Sequence, residues 1–352
     1  MSTLSQYFCN FAAVNRINWV DWTKCIAVTT VVFCHLPQSQ EWIYYRYLQA
    51  CVITIFFFLS GYLKRDRGSM SNNWHKYWMS LVVPYIIFNL LALPYWFLRY
   101  YLQQGMIPDL AALSRPIVGA LLLQHTSSIA EPLNGALWYL PAILVMHLIT
   151  DLCHRTHHEH LLMSVLCVMS FAAYYLYRTS GLHLFLTPVG FLRGLPFFYM
   201  GYVFGQRHWL NEKSSKRDTW LCVGLLITSI LLFWLHMETL DRLLLHLTLY
   251  YPVNATYVIG VVYGCRLLCR RKTPRWVVNI SIGTLVVIGL QWTFIGFVNY
   301  VLSHLTTFTV TTGYNWYEAL LIALLITTLH YPIILWAIQQ HPALLGRKKT
   351  TV

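Results

Sequence analysis

The segment NRINWVDWTKCIAVTTVVFCHLP places Asp21, Lys24 and His35 in an otherwise apolar stretch. Ionisable side chains at membrane depth are costly, so by default they face a protein interior or a wet cavity and point to function. Helical geometry aligns them. Eleven positions, at about 100° and about 1.5 Å each, carry Lys24 to His35 roughly 20° past three full turns, leaving both on one face about 16 Å apart along the axis. Asp21 falls within about 40° of that face, one turn below Lys24. There it is expected to pair with Lys24 at i, i+3 and keep the ammonium charged. A lysine and a histidine stacked in this way make a polar track from the inner leaflet towards the outer one, able to bind a substrate or relay protons. The alternative is that Asp21 and Lys24 snorkel to the inner headgroups while His35 sits at the outer interface.

These residues need a membrane to make the argument hold, and composition supplies it. Of the 352 residues, 57% are hydrophobic and 11% charged, against about 25% charged in ordinary soluble domains. Apolar stretches recur along the whole length, so neither a signal peptide nor a single anchor accounts for them. The net charge of +13 does not imply nucleic acid as a partner, because the basic residues sit in short clusters between apolar segments rather than on one face. The nine cysteines (Cys9, Cys25, Cys34, Cys51, Cys153, Cys167, Cys222, Cys265 and Cys269) lie mostly inside apolar segments and form no C-x-x-C pair, so they read as small buried side chains.

The hydropathy pattern predicts an all-α integral membrane protein of about ten spans, near 19 to 36, 43 to 63, 77 to 98, 136 to 152, 161 to 177, 189 to 206, 219 to 237, 246 to 268, 277 to 301 and 317 to 338. Most Lys and Arg fall in alternate connections, including Lys64, Arg65 and Arg67, Lys213 to Arg217, Arg266 to Arg275, and Arg347 to Lys349. The positive-inside rule then puts both termini in the cytoplasm. The longest connection, about 99 to 135, lies outside. Its apolar run from Pro116 to Leu123 is too short to span and suits an interfacial or re-entrant helix. No repeat and no linker to a second domain is evident, so a single membrane domain over 1–352 without a soluble accessory domain is expected.

The lysine followed by histidine in the first span resembles the R-x10-H signature of the acyltransferase type 3 family, here in D-x-x-K-x10-H form. That variant is similar to the branch of fucose 4-O-acetylases and related sugar acetyltransferases. ITIFFFLSGYLKR (Ile53 to Arg65), VVPYIIF (Val82 to Phe88), LWYLPAILV (Leu137 to Val145) and RGLPFFYMGYVFG (Arg193 to Gly205) resemble further family segments, in family order. One departure stands out: ISIGTLVVIGLQW (Ile280 to Trp292) puts Gln291 where relatives often have a histidine, and glutamine cannot act as a base at neutral pH.

The resemblance implies O-acetyl transfer from cytoplasmic acetyl-CoA to a sugar hydroxyl of a surface polysaccharide or its lipid-linked precursor, in a bacterial plasma membrane. Acetyl-CoA would serve as donor substrate, with no permanently bound cofactor and no metal. His35 would act as general base or acyl relay, and Lys24, braced by Asp21, would face the thioester or the phosphates of coenzyme A. Arg193, Trp138 and Tyr62, all in family-like segments, are candidate substrate-binding residues. Other candidates have plainer readings. The loop CHRTHHEH (Cys153 to His160) fits no trusted metal-ligand spacing. Glu131 and Glu318 read as surface carboxylates, and most of the 14 Trp and 24 Tyr as interfacial belts. The competing class is a transporter or flippase for a glycan or small metabolite, in which the same buried residues bind cargo or relay protons.

Overall fold

The computed structural model describes residues 16–38, 42–65, 70–180, 186–210, 214–270, 272–305 and 313–347. Cys9, Arg67, Lys213, Arg271, Lys348 and Lys349 lie outside them. Among the described residues twelve α-helices follow one another: α1 Asn18–His35, α2 Ile43–Tyr62, α3 Met70–Gln104, α4 Leu110–Leu121, α5 Tyr139–His154, α6 Glu159–Ser180, α7 Leu186–Gln206, α8 Lys216–Met237, α9 Leu243–Leu268, α10 Arg275–Ile282, α11 Thr284–Leu305 and α12 Trp316–Gln339. No strand occurs among the described residues, and the eight cysteines there are free thiols.

Seven of these helices are long and apolar enough to cross a membrane: α2, α3, α5 with its leading 3-10 turn, α6, α8, α11 and α12. Their outer faces suit lipid. Leu90, Leu98, Val168, Leu176 and Leu231 are each more than half exposed, in a pattern of large apolar surface that soluble monomers rarely carry. Helices also occupy the other expected positions, α1, α7 and α9, but these are less apolar. They sit in the core, where α1 touches α2, α9, α10, α11 and α12, and α2 also packs on α7 and α9. A helix enclosed by protein does not need to satisfy lipid all round, which lets it carry polar residues.

The α2–α7 contact shows how tight that core is. A Cβ placed on Gly61 would lie 1.9 Å from the Phe198 carbonyl oxygen, and one on Gly201 2.0 Å from that of Phe58. The two backbones are in direct contact, as small residues permit between membrane helices.

Two elements depart from the sequence expectation. Helix α3 begins before residue 77 and contains a π-helical turn over Trp78–Val82. Pro84 explains the widened turn, since it has no N–H to give to a carbonyl one turn back. The predicted span from 277 to 301 is two helices, α10 and α11, broken at Gly283, where a Cβ would lie 2.4 Å from Ile334 Cγ1 of α12. The outer connection contains α4, capped by Asp109, whose carboxylate accepts from the Ala112 N–H at 2.7 Å. Its following loop is tied to the bundle through buried Gln124, which donates to Asn89 Oδ1 at 2.9 Å and accepts from the Asn134 N–H at 3.1 Å.

Candidate active site

A cavity of about 350 Å³ opens among the helix ends around α1, within the range of about 300–1,000 Å³ typical of small-molecule sites. Arg16, Asp21 and Lys24 from α1 and its approach stand together with Arg347 from the segment after α12, and Lys76 from α3 also lines the cavity. Phe56, Leu59, Tyr139, Leu140, Ile143, Leu285 and Ile288 make an apolar wall, interrupted by Ser60 and His147. On α5, His147, Ile143 and Tyr139 recur every four residues, so this wall follows one helix face for about 12 Å.

Four basic side chains and one carboxylate line the cavity. The carboxylate is already engaged. Asp21 accepts from Arg16 at 3.2 and 3.3 Å and from Ser281 Oγ at 2.6 Å. Among the described residues no hydrogen bond or ion pair joins it to Lys24, so the expected i, i+3 brace is replaced by Arg16 and Ser281. Arg347, an exposed residue, stands near Arg16 and Asp21. Arg347 is held there by the chain just before it: Gly346 has φ +65°, and a Cβ on it would lie 2.8 Å from Ser80 of the π-helical turn. Like charges crowded beside a single, occupied carboxylate favour an anion as ligand.

His35 lies at the far end of α1 and does not line this cavity. Its ring meets Trp292 edge-on at 4.9 Å. Trp292 stands one helical turn beyond Ile288, the last cavity residue of α11, so His35 sits just past the apolar end of the cavity. Its Nδ1 contacts the Val31 carbonyl oxygen at 2.7 Å. A carbonyl only accepts, so Nδ1 carries the proton and Nε2 carries the lone pair a base needs.

The remaining candidates are dispersed. Arg193 on α7 places its guanidinium over the Tyr250 ring at 4.4 Å and the Tyr174 ring at 5.7 Å. Trp138 is clamped under α7, where a Cβ on Gly190 would lie 1.9 Å from its Cζ3. Tyr62 is buried at the α1–α2 contact, its ring 4.8 Å from that of Trp19. None of the three lines the cavity. Gln291 is fully buried and donates to the Ile288 carbonyl at 3.3 Å. Glu131 accepts from Trp96 Nε1 at 2.7 Å, and Glu318 caps α12 by accepting from the Asn315 N–H at 2.8 Å. In the 153–160 loop, His154 pairs with Glu159 at 2.8 Å.

Sequence reasoning missed a polar cluster beside the cavity. His147 Nε2 lies 3.1 Å from Ser60 Oγ, and its ring stacks on Tyr77 at 4.8 Å. Tyr77 Oη donates to Asp151 Oδ2 at 2.8 Å and accepts from Lys64 Nζ at 3.1 Å, while Lys64 and Asp151 form a buried ion pair. The signal was present, because His147, Thr150 and Asp151 interrupt an apolar span just past LWYLPAILV. The depth argument made for α1 applies equally to them.

A bundle of membrane-length apolar helices enclosing a cation-lined cavity is the architecture of a multi-pass membrane protein with an internal site. The family model described as an acyltransferase domain matches residues 17–343, and the chain belongs to that family, acyltransferase type 3. No curated protein and no solved structure matches the chain.

Proposed function

We propose that this chain is a membrane O-acyltransferase that moves an acetyl group from cytoplasmic acetyl-CoA to a sugar hydroxyl of a surface polysaccharide or its lipid-linked precursor, in a bacterial plasma membrane. The observation that carries the reading is the cavity: cations at one end, an apolar wall along its length, and His35 one helical turn past its other end. The phosphates of coenzyme A would meet Arg16, Lys24, Lys76 and Arg347. Of the two sites left open for Lys24, its neighbours favour the phosphates over the thioester.

With the donor's arm along the apolar wall, the thioester approaches His35. His35 Nε2 takes the proton of the acceptor hydroxyl, and the sugar oxygen attacks the thioester carbonyl. The C–S bond breaks and the CoA thiolate takes the proton back from His35. A positioned base of this kind contributes about 10² to 10⁴ in rate. Ordering His35 through its Nδ1–H and Trp292 leaves it ready to act without rearrangement. Arg193, Trp138 and Tyr62 remain candidates for substrate binding.

The same reading takes the chain across the bilayer ten times with both termini in the cytoplasm. In support, the polar lining of the cavity is built from the start of α1, the start of α3, α10 and the segment after α12, all of which the basic-loop pattern assigns to the inner side. Comparison of the surface glycan from wild-type and deletion strains by mass spectrometry tests the function. A loss of acetyl-sized mass supports it. Unchanged acylation with altered export would favour a transporter instead.

A further inference from the structure

Arg193 of α7 is a cation that the mechanism above leaves without a defined ligand. Three other cations of the bundle have carboxylate partners: Arg16 meets Asp21, Lys64 meets Asp151 and Arg266 meets Asp218. Among the described residues no carboxylate pairs with Arg193. Its guanidinium lies over the rings of Tyr250 and Tyr174, at 4.4 and 5.7 Å, and the Tyr250 hydroxyl accepts one of its N–H groups. A guanidinium carries five N–H donors. None of the Arg193 nitrogens is both unpartnered and sealed from solvent, so the donors that Tyr250 does not take open onto accessible space. At membrane depth an arginine is costly and by default pairs with another group. The two rings fix the cation by cation–π attraction and leave its hydrogen-bonding edge free, which is the arrangement that receives an anion.

Position decides which anion reaches it. Arg193 stands seven residues after Leu186, the first residue of α7, about 10 Å along the helix. The start of α7 is tied to the connection that follows α4, where Thr187 Oγ1 donates to the Leu123 and Trp138 carbonyls at 2.9 and 3.2 Å. Helical side chains lean towards the N-terminus of their helix, so the guanidinium rises from that depth towards the headgroup level. Its two rings come from α6 and α9. On those same helices Leu176 and Leu244 are more than half exposed, a surface suited to lipid tails. A soluble anion would have to leave water to reach this depth, at a large cost. A lipid brings its anion along, and in lipid headgroups and lipid-linked glycans alike that anion is phosphate.

We infer that Arg193, framed by Tyr174 and Tyr250, binds the phosphate of a lipid in the outer leaflet through its guanidinium fork. The choice of leaflet follows the ten-span topology proposed above, whereas the site itself rests on no step of acyl transfer. Two kinds of lipid carry this phosphate: a bilayer phospholipid, and a polyprenyl phosphate bearing a glycan, in which case the site holds the acceptor.

The test uses the purified full-length protein in detergent, without acetyl-CoA, and follows its melting temperature during titration with a polyprenyl phosphate, the matching polyprenol, phosphatidylglycerol or inorganic phosphate. Polyprenyl phosphate should stabilise wild type, and the phosphate-free polyprenol should not. In Arg193→Met the apparent affinity should fall about 10- to 100-fold, as expected for lost hydrogen bonds to a charged group, and Arg193→Lys, which keeps the charge without the fork, should lose less. An equal response to polyprenol, or an unchanged affinity in Arg193→Met, overturns the assignment. So does a response to inorganic phosphate that matches the lipids, because the bilayer would then play no part in delivery. If Arg193→Met does not fold, the comparison of phosphate with alcohol in wild type and the partial loss in Arg193→Lys decide the matter. A phosphatidylglycerol response equal to that of polyprenyl phosphate supports the site and identifies headgroups as its occupant. A response confined to polyprenyl phosphate supports it and identifies the lipid-linked acceptor. Since acetyl-CoA is absent throughout, failure here leaves the acyltransferase reading standing, and loss of that reading leaves the site standing.

Discussion

Lys24→Met isolates one charge of the cavity proposed to take the donor. Methionine keeps the unbranched stem and removes the ammonium. From sequence alone this substitution should also strand Asp21, but the Asp21 carboxylate is held by Arg16 and Ser281, so the change deletes one cation and little else. A hydrogen bond to a charged group is worth about 1.5–3 kcal/mol, and about 1.4 kcal/mol is tenfold in an equilibrium constant. The KM for acetyl-CoA should therefore rise about 10- to 100-fold. Binding should not vanish, because Arg16, Lys76 and Arg347 still line the cavity. Lys24→Arg, which restores a permanent charge at nearly the same place, should stay within about threefold of wild type. Insertion should not suffer, since a lysine at mid-membrane costs about 2.5–3.5 kcal/mol on the insertion scale. The assay is release of CoA thiol from acetyl-CoA by membranes carrying equal amounts of each protein. An unchanged KM in Lys24→Met would mean that the ammonium only snorkels, and the polar track along α1 would have to be abandoned.

His35→Ala should reach the membrane at normal level and lose about 10² to 10⁴ in acetyl transfer; wild-type turnover in that variant, measured by the same thiol release, removes His35 from the mechanism. Asp151→Ala should destabilise by about 3–5 kcal/mol, because it leaves Lys64 as an uncompensated buried charge, and this should appear as a lower melting temperature of purified protein. Lys64→Met combined with Asp151→Leu should melt closer to wild type, and equal melting of single and double variants would refute a role for the pair. A reporter fused after Val352 should be active only if it works in the cytoplasm, and one inserted near Gln104 only if it works outside. The reverse pattern would overturn the ten-span topology.

What the sequence made legible is what depends on local pattern. The apolar periods locate the helices within a few residues, and the 3.6-residue repeat puts Lys24 and His35 on one face of α1. Long-range partnership was not legible. Nothing near Asp21 in the chain announces Ser281 from α10 or Arg347 from the end of the structure beside it. Local spacing favoured Lys24 as the brace, but Arg16, five residues before Asp21, shares the carboxylate with Ser281 from α10. The break at Gly283 was hidden for a similar reason, since the pressure on that glycine comes from Ile334 on a distant helix. Helix α3 begins early because Asn73 and Tyr77 are buried in a stretch whose composition reads as loop, Tyr77 against the Lys64–Asp151 pair.

The placement of polar residues also explains why three core helices fall short of the apolarity of the seven membrane-length spans. A helix facing lipid is selected for apolar surface all along its exposed side, and α8 and α6 show this plainly. Helix α1 faces protein on nearly every side, so its polar groups are met by other polar groups instead of hydrocarbon: Asp21 by Arg16 and Ser281, Thr23 by the Trp19 carbonyl at 2.7 Å, His35 by the Val31 carbonyl. That enclosure allows one helix to hold a cation near one end and a base at the other, about 16 Å apart. The proposed phosphate-bearing donor and hydroxyl acceptor, arriving from opposite sides of a membrane, would need such a separation. In this view the weak apolarity of α1 is the mark of its task. Substituting its polar residues by leucine should make the helix more apolar yet destabilise the protein, because the surfaces that receive those residues are polar too.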